Sequence, residues 1–183
     1  MWYNVKDNKP KEYIVILEKL LMPDLMTEHF YEVTPEIVKS FGGDVLICDI
    51  DNTLVTYDDP EPTEEVLSWI EKMNQGGVTI AFVSNNDWDR VKLFNEKLGL
   101  VAYAKSGKPS TKNLKAACAD LKIDKSKAVL LGDQLLTDCA AAKSFGIKAI
   151  IVPPIKDKTS LFFKSKRLIE KPYVAKYKRM NSK

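Results

Sequence analysis

Runs of consecutive apolar residues alternate along this chain with longer stretches whose apolar positions recur every three or four residues. The runs at 45–50, 78–83, 101–104, 128–131 and 148–152 are rich in β-branched side chains and predict strands. Between them, Val66, Leu67, Ile70 and Met73, then Val91, Phe94 and Leu98, then Leu114, Ala117, Cys118 and Leu121 fall at helical spacing, with a shorter helix around 140–145. Gly76-Gly77, Gly99 and Gly146 follow three of these stretches, where a helix ends on a residue free to take positive φ. Val45-Leu46-Ile47-Cys48 and Ala149-Ile150-Ile151-Val152 are apolar on both faces, as strands covered on both sides by helices must be. Repeated strand–helix units with right-handed crossovers then predict an α/β fold, a three-layer, doubly wound, mostly parallel sheet. Ligands bind such sheets at the carboxyl ends of the strands.

Ahead of residue 44 the pattern changes. Ile14, Leu17, Leu20 and Leu21 predict a helix that Pro23-Asp24 ends, and 25–41 is apolar but irregular. The reading is an N-terminal helical extension over 1–43 packed on the sheet, a core over 44–154, and a C-terminal extension over 155–183. That last stretch changes the charge picture. Its ten Lys and Arg against Asp157 and Glu170 make it strongly basic, whereas the whole 183-residue chain carries only +3. A basic tail on a mildly acidic body suits an anionic partner such as a phosphate-bearing substrate, a lipid surface or RNA, or else is a solvated tail. Phe162, Phe163 and Tyr173, interleaved with these charges, either pack on the core or stack on bases.

Composition removes other classes. With 45% hydrophobic and 29% charged residues and only 8 Gly and 9 Pro, the chain is neither collagen-like nor disordered. No apolar run reaches the length of a membrane span or the pattern of a signal peptide. Cys48, Cys118 and Cys139 form no C-x-x-C pair and sit within apolar patterns, which reads as small buried side chains in a reducing cytoplasm. The 1 His in the chain leaves zinc without a ligand set.

The chemistry lies at the strand ends. The first strand runs into Asp49-Ile50-Asp51-Asn52-Thr53-Leu54, a carboxylate pair that needs a cation, for which a hard divalent ion is the natural choice. The second ends in Ser84-Asn85-Asn86, a hydroxyl and two amides suited to phosphate oxygens. The third is followed by Lys105, Gly107 and Lys108-Pro109, where an ammonium group can neutralise a phosphoryl oxygen. The fourth ends in Gly132-Asp133-Gln134-Leu135-Leu136-Thr137-Asp138, offering two more carboxylates to the same metal.

In this order, Asp-x-Asp-x-Thr-Leu, strand-end Ser, Lys-Pro and Gly-Asp-x-x-x-x-Asp resemble the haloacid dehalogenase (HAD) superfamily of phosphohydrolases, over roughly 44–152. More narrowly, the Pro23-Asp24 extension, the short spacings and the Gly-Asp-Gln-Leu-Leu-Thr-Asp run are similar to the bacterial YqeG group, relatives of mitochondrial phosphatidylglycerophosphate phosphatase. The resemblance implies a nucleophile at Asp49, an acid and base at Asp51, phosphate binding by Ser84 and Asn85, and charge stabilisation by Lys108. It implies Mg²⁺ held by Asp49, the Asp51 backbone carbonyl and Asp133, with Asp138 as an outer or alternative ligand. The second Asp argues against dehalogenation, which has no alkoxide to protonate.

Members of the superfamily insert cap domains in one of two gaps. Here those gaps, 50–83 and 85–107, are filled by one helix, one strand and turns each, so no cap fits and the site should stand open, with 56–62 as a short flap. An open site suits a bulky or membrane-borne phosphate, and phosphatidylglycerophosphate on an anionic bilayer combines that with the basic tail. The expected protein is therefore cytoplasmic, with peripheral contact to an anionic membrane. Nucleotides, sugar phosphates and phosphoproteins are alternative substrates. A non-catalytic, nucleic-acid- or ribosome-associated module is the rival from another class, and the intact Asp49, Asp51, Ser84, Lys108 and Asp133 argue against it.

Overall fold

The computed structural model describes residues 9–156 and 161–181, with side chains described from Val15 to Lys156 and from Lys164 to Asn181. The side chains of Ile14, Phe162 and Phe163, and the segment 157–160, lie outside the described residues.

Six strands form one all-parallel sheet: β1 (Leu25–Met26), β2 (Val45–Cys48), β3 (Thr79–Val83), β4 (Ala102–Tyr103), β5 (Ala128–Gly132) and β6 (Lys148–Ile151), in the order β1-β6-β5-β2-β3-β4. The helices are α1 (Lys9–Leu21), α2 (Pro35–Ser40), α3 (Glu64–Gln75), α4 (Trp88–Asn95), α5 (Lys112–Asp120), α6 (Ala140–Phe145) and α7 (Leu161–Asn181). The alternation of side chains along β2 divides the core. Leu46, Cys48 and Ile50 face a layer with Val66, Trp69, Ile70, Met73 and Phe94, while Val45 and Ile47 face Leu114, Ala117, Cys139, Ala141 and the partly buried Tyr173 and Val174 of α7. This is the three-layer α/β sheet that the consecutive apolar runs predict. Cys48, Cys118 and Cys139 are all buried free thiols, and burial pushes the Cys139 thiol up to about 12.

Local signals explain the boundaries. Thr63 and Asp87 cap α3 and α4 by accepting the N–H groups of Val66 and Arg90. Gly146 ends α6 at φ 84°.

One region departs from the sequence reading. Leu25 and Met26, taken as irregular, form the edge strand β1 and pair in parallel with Ile150 and Ile151. A two-residue strand has no alternating signature, and its pairing comes from the backbone: Asp24 N–H donates to the Ala149 carbonyl at 2.9 Å and Thr27 N–H to that of Ile151 at 3.2 Å. Asp24 accepts from the Ala149 N–H at 2.9 Å and pairs with Lys143 and Lys148, which draw its carboxyl below the usual range against the effect of burial. Among the described residues no helix is long and apolar enough to cross a membrane.

Candidate active site

The carboxyl ends of β2, β3 and β5, the segment after β4, and the start of α7 converge on one cavity of about 250 Å³. Asp49, Asp51, Tyr57, Ser84, Asn85, Asn86, Lys108, Gln134, Thr137, Asp138 and Lys166 line it. Lys105, noted in the sequence beside Lys108, is exposed and stands outside this lining, as does Asp133, whose carboxylate is turned toward α7.

Immediately beyond β2 the chain folds back on itself. The N–H groups of Thr53 and Leu54 donate to the Ile50 carbonyl at 3.3 and 2.9 Å, and Asn52 takes φ 68°. This turn keeps Asp49 and Asp51 against the same cavity although neither belongs to the strand. Asp51 is fully engaged: Oδ1 accepts from Arg90 Nε at 3.0 Å, and Oδ2 from Asn86 Nδ2 at 2.9 Å. Arg90 also donates to the Pro60 carbonyl at 2.7 Å, which ties the 56–62 flap to Asp51.

Lys108 is the central cation. Its Nζ is 2.7 Å from Asp49 Oδ1 and 2.7 Å from Asp138 Oδ1. The second contact lacks hydrogen-bond alignment, so Asp138 Oδ1 is buried without a hydrogen bond. Burial acts to lower the Lys108 ammonium, but Asp138 and Asp49 more than offset it and raise it overall. The side chain of Asn85 is spent on the Lys108 backbone, accepting its N–H at 2.7 Å and donating to its carbonyl at 3.3 Å. Asn85 thereby braces the lysine. Ser84 Oγ accepts the Asn86 N–H at 3.1 Å and faces the cavity.

The loop after β5 follows from a close approach. A Cβ on Gly132 would stand 2.4 Å from Asp138 Cγ, so only glycine lets the second carboxylate return to the strand end. Asp138 Oδ2 accepts the Gln134 N–H at 3.1 Å and the Thr137 hydroxyl at 3.3 Å, closing the loop on itself. Asp133 Oδ2 instead pairs with Arg167 of α7 at 2.5 Å.

The ligand atoms of Asp49, Asp133 and Asp138 lie within 4.8 Å of one another and all three are buried. Burial, with Asp138 and Asp51 nearby, pushes Asp49 up to about 6 against the pull of Lys108. Burial, then Asp138 and Asp49, pushes Asp133 up to about 8 against that of Arg167. Three crowded, buried carboxylates facing only two cations make a donor set that fits a hard divalent ion.

The chain is 34% identical over 164 residues to the Probable phosphatase YqeG of Bacillus subtilis (strain 168), covering 90% of this chain and 95% of that protein. It belongs to the YqeG group of HAD-type phosphatases. A HAD-hydrolase-like family model matches residues 105–159 of this YqeG-group chain. Its fold is similar to that of an uncharacterized protein from Listeria monocytogenes serotype 4b, with a TM-score of 0.51 at 23% identity, covering 63% of this chain and 84% of the other.

Three features of this YqeG-group site escape sequence reasoning. Arg90 and Arg167 sit in helical segments where charges ordinarily face solvent, and no spacing distinguishes them. Tyr57 comes from the acidic flap, and its burial beside Asp133, Asp49 and Asp51 raises its hydroxyl pKa. Glu170 stands in a basic segment as an isolated acid, which is the one signal that could have marked it, and it is 2% exposed.

Proposed function

We propose that this YqeG-group protein is a Mg²⁺-dependent phosphomonoester hydrolase that works through an aspartyl-phosphate on Asp49. The observation that carries the reading is the buried Asp49–Lys108–Asp138 contact in the lining of a polar cavity, where a carboxylate suited to act as nucleophile and a buried ammonium face the same space as Ser84.

In the first half-reaction an Asp49 oxygen attacks phosphorus, the bond from phosphorus to the leaving oxygen breaks, and protonated Asp51 gives its proton to the departing alkoxide. In the second, Asp51, now a carboxylate, takes a proton from water as the water oxygen attacks phosphorus. The bond from phosphorus to Asp49 breaks, and phosphate and free Asp49 are restored. Ser84 donates to a phosphoryl oxygen, and Lys108 neutralises charge shared by Asp49 and the phosphoryl group. The grip of Arg90 and Asn86 on Asp51 suits the half-reaction in which it serves as base. Asp49, the Asp51 backbone carbonyl and Asp133 would hold Mg²⁺, with Asp138 beside them. When bound, Mg²⁺ supplies positive charge against the equatorial phosphoryl oxygens.

For the substrate, we propose a phosphomonoester carried at an anionic bilayer, phosphatidylglycerophosphate above others. Two features support it. Among the described residues the cavity has the 56–62 flap and α7 beside it, and α7 exposes Leu168, Ile169 and Met180 among Lys164, Lys171 and Arg179, a face suited to shallow insertion among anionic headgroups. The test is a phosphatase panel with Mg²⁺ that sets vesicle-borne phosphatidylglycerophosphate against nucleotides, sugar phosphates and phosphopeptides. Preference for a soluble phosphomonoester would remove the bilayer assignment and leave the hydrolase. Hydrolysis of none of them, with folded protein, would remove both.

A further inference from the structure

Helix α7 brings more than positive charge to this site. Arg167 holds both ends of Asp133: Nη2 donates to the side-chain Oδ2 at 2.5 Å, and Nη1 to the backbone carbonyl at 2.8 Å. The same Nη1 is 2.9 Å from Oε2 of Glu170, one turn further along the helix. Glu170 is buried, and its other oxygen accepts the Leu136 N–H at 3.0 Å. Asp133, Arg167, Glu170 and Leu136 therefore close a ring that joins α7 to the loop after β5 at two points.

An exposed ion pair contributes little and fixes little. This contact differs because the Asp133 side chain is fully buried, the guanidinium fork reads side chain and backbone of one residue, and a buried carboxylate orients the fork. With Oδ2 committed to Arg167, Oδ1 accepts from Gln134 Nε2 at 3.4 Å, a long contact. The ring thus fixes which oxygen of Asp133 is held and which is left for another ligand.

We propose that Arg167 and Glu170 are positioning residues that pre-set Asp133 for the divalent cation, so that ordering this carboxylate is not charged against cation binding. The proposal rests on the reading of Asp133 as a metal-side ligand. Partners of this kind, which hold a ligating side chain by hydrogen bonds, typically contribute about 10–100-fold to metal affinity or activity.

The experiment uses the full chain, stripped of metal and titrated with MgCl₂, with two readouts: the thermal unfolding midpoint, and hydrolysis of an aryl phosphate. For Arg167→Met, both readouts should need about 10–100-fold more Mg²⁺ for half their change. Hydrolysis at saturating Mg²⁺ should recover to within a few-fold of the parent. Arg167→Lys, which keeps the charge without the fork, should fall between the two. A role confined to docking the helix would lower the unfolding midpoint in chelator and leave the Mg²⁺ midpoints unmoved, which would overturn the proposal. A lower Mg²⁺ midpoint in Arg167→Met would overturn it too, since Arg167 would then compete with the cation. Should Arg167→Met fail to fold, Glu170→Gln decides: it keeps the shape and removes the charge that orients Arg167, and a Mg²⁺ midpoint equal to the parent's rejects the proposal. If the parent chain responds to Mg²⁺ in neither readout, it is the metal reading that fails, separately from the role of Arg167.

Discussion

The two carboxylate-bearing strand ends solve one electrostatic problem in different ways. After β2, Asp49 and Asp51 stand two residues apart and each meets a cation, Lys108 from beyond β4, which Asp49 shares with Asp138, and Arg90 from α4. After β5, Asp133 and Asp138 are linked by a wider turn. Asp138 turns one oxygen onto its own loop and the other to Lys108, and Asp133 depends on Arg167 at the far end of the chain. The first pair and Asp138 are thus compensated within the sheet core, whereas Asp133 gains its cation only when α7 docks. Buried carboxylates are tolerable only with such partners, so the difference shows which part of the site the core builds alone and which it borrows from the C-terminal extension.

The comparison is broken most severely at its first member. Asp49→Asn should cut hydrolysis of an aryl phosphate by at least ~10⁴-fold, with circular dichroism unchanged. Turnover at the parent rate in that variant would remove Asp49 as the nucleophile. Lys108→Met comes next, because it strands Asp49 and Asp138 together. Loss of one member of a buried, paired set costs about 3–5 kcal/mol, to be read from urea unfolding. Arg90→Met should cost less, since the Arg90 side chain is 13% exposed against 2% for Lys108.

Asp51→Asn should slow hydrolysis of an alkyl phosphate by ~10²–10⁴-fold and that of an acidic aryl phosphate by less, because a good leaving group needs little protonation. Equal losses on both substrates would mean that Asp51 does not act as the acid. The mildest effect concerns pH and sharpens the contrast with Asp133. Asp49 and Asp133 are raised in the folded chain, to about 6 and about 8. The folded state therefore holds more protons than the unfolded one between roughly pH 4 and 8. Stability of metal-free protein should fall as pH rises through that window, by about 2–4 °C in unfolding midpoint for each kcal/mol lost. Saturating MgCl₂ should flatten the slope, and a metal-free midpoint that rises from pH 5 to 8 would contradict the assigned burial.

The helices α3, α4, α5 and α6 and the strands β2 to β6 were readable because burial on both faces demands unbroken apolar runs, and helix packing demands a three-to-four-residue period. β1 was not readable, since two residues show no period and the Asp24 contacts that hold it span more than a hundred positions of chain. The strand-end residues stood out for a related reason. A carboxylate, hydroxyl or lysine directly after a wholly apolar run is expensive to bury, and so advertises a purpose. Asn85 carries a role that its residue type did not announce: its amide bonds the backbone of Lys108 while it lines the cavity.

By itself, the sequence determined strands β2 to β6, their layering and the side chains gathered at their carboxyl edge, because local periodicity and the cost of buried polar groups act within a few residues of one another. Tertiary structure alone decided how those charges pair. Arg90, Arg167 and Glu170 lie on helices where a charge is by default a solvated surface group, and only the docking of α4 and α7 against the strand ends turns them inward. Electrostatic partnership depends on distance in space, and the partner of Asp133 stands 34 residues away in sequence, beyond the reach of any local pattern.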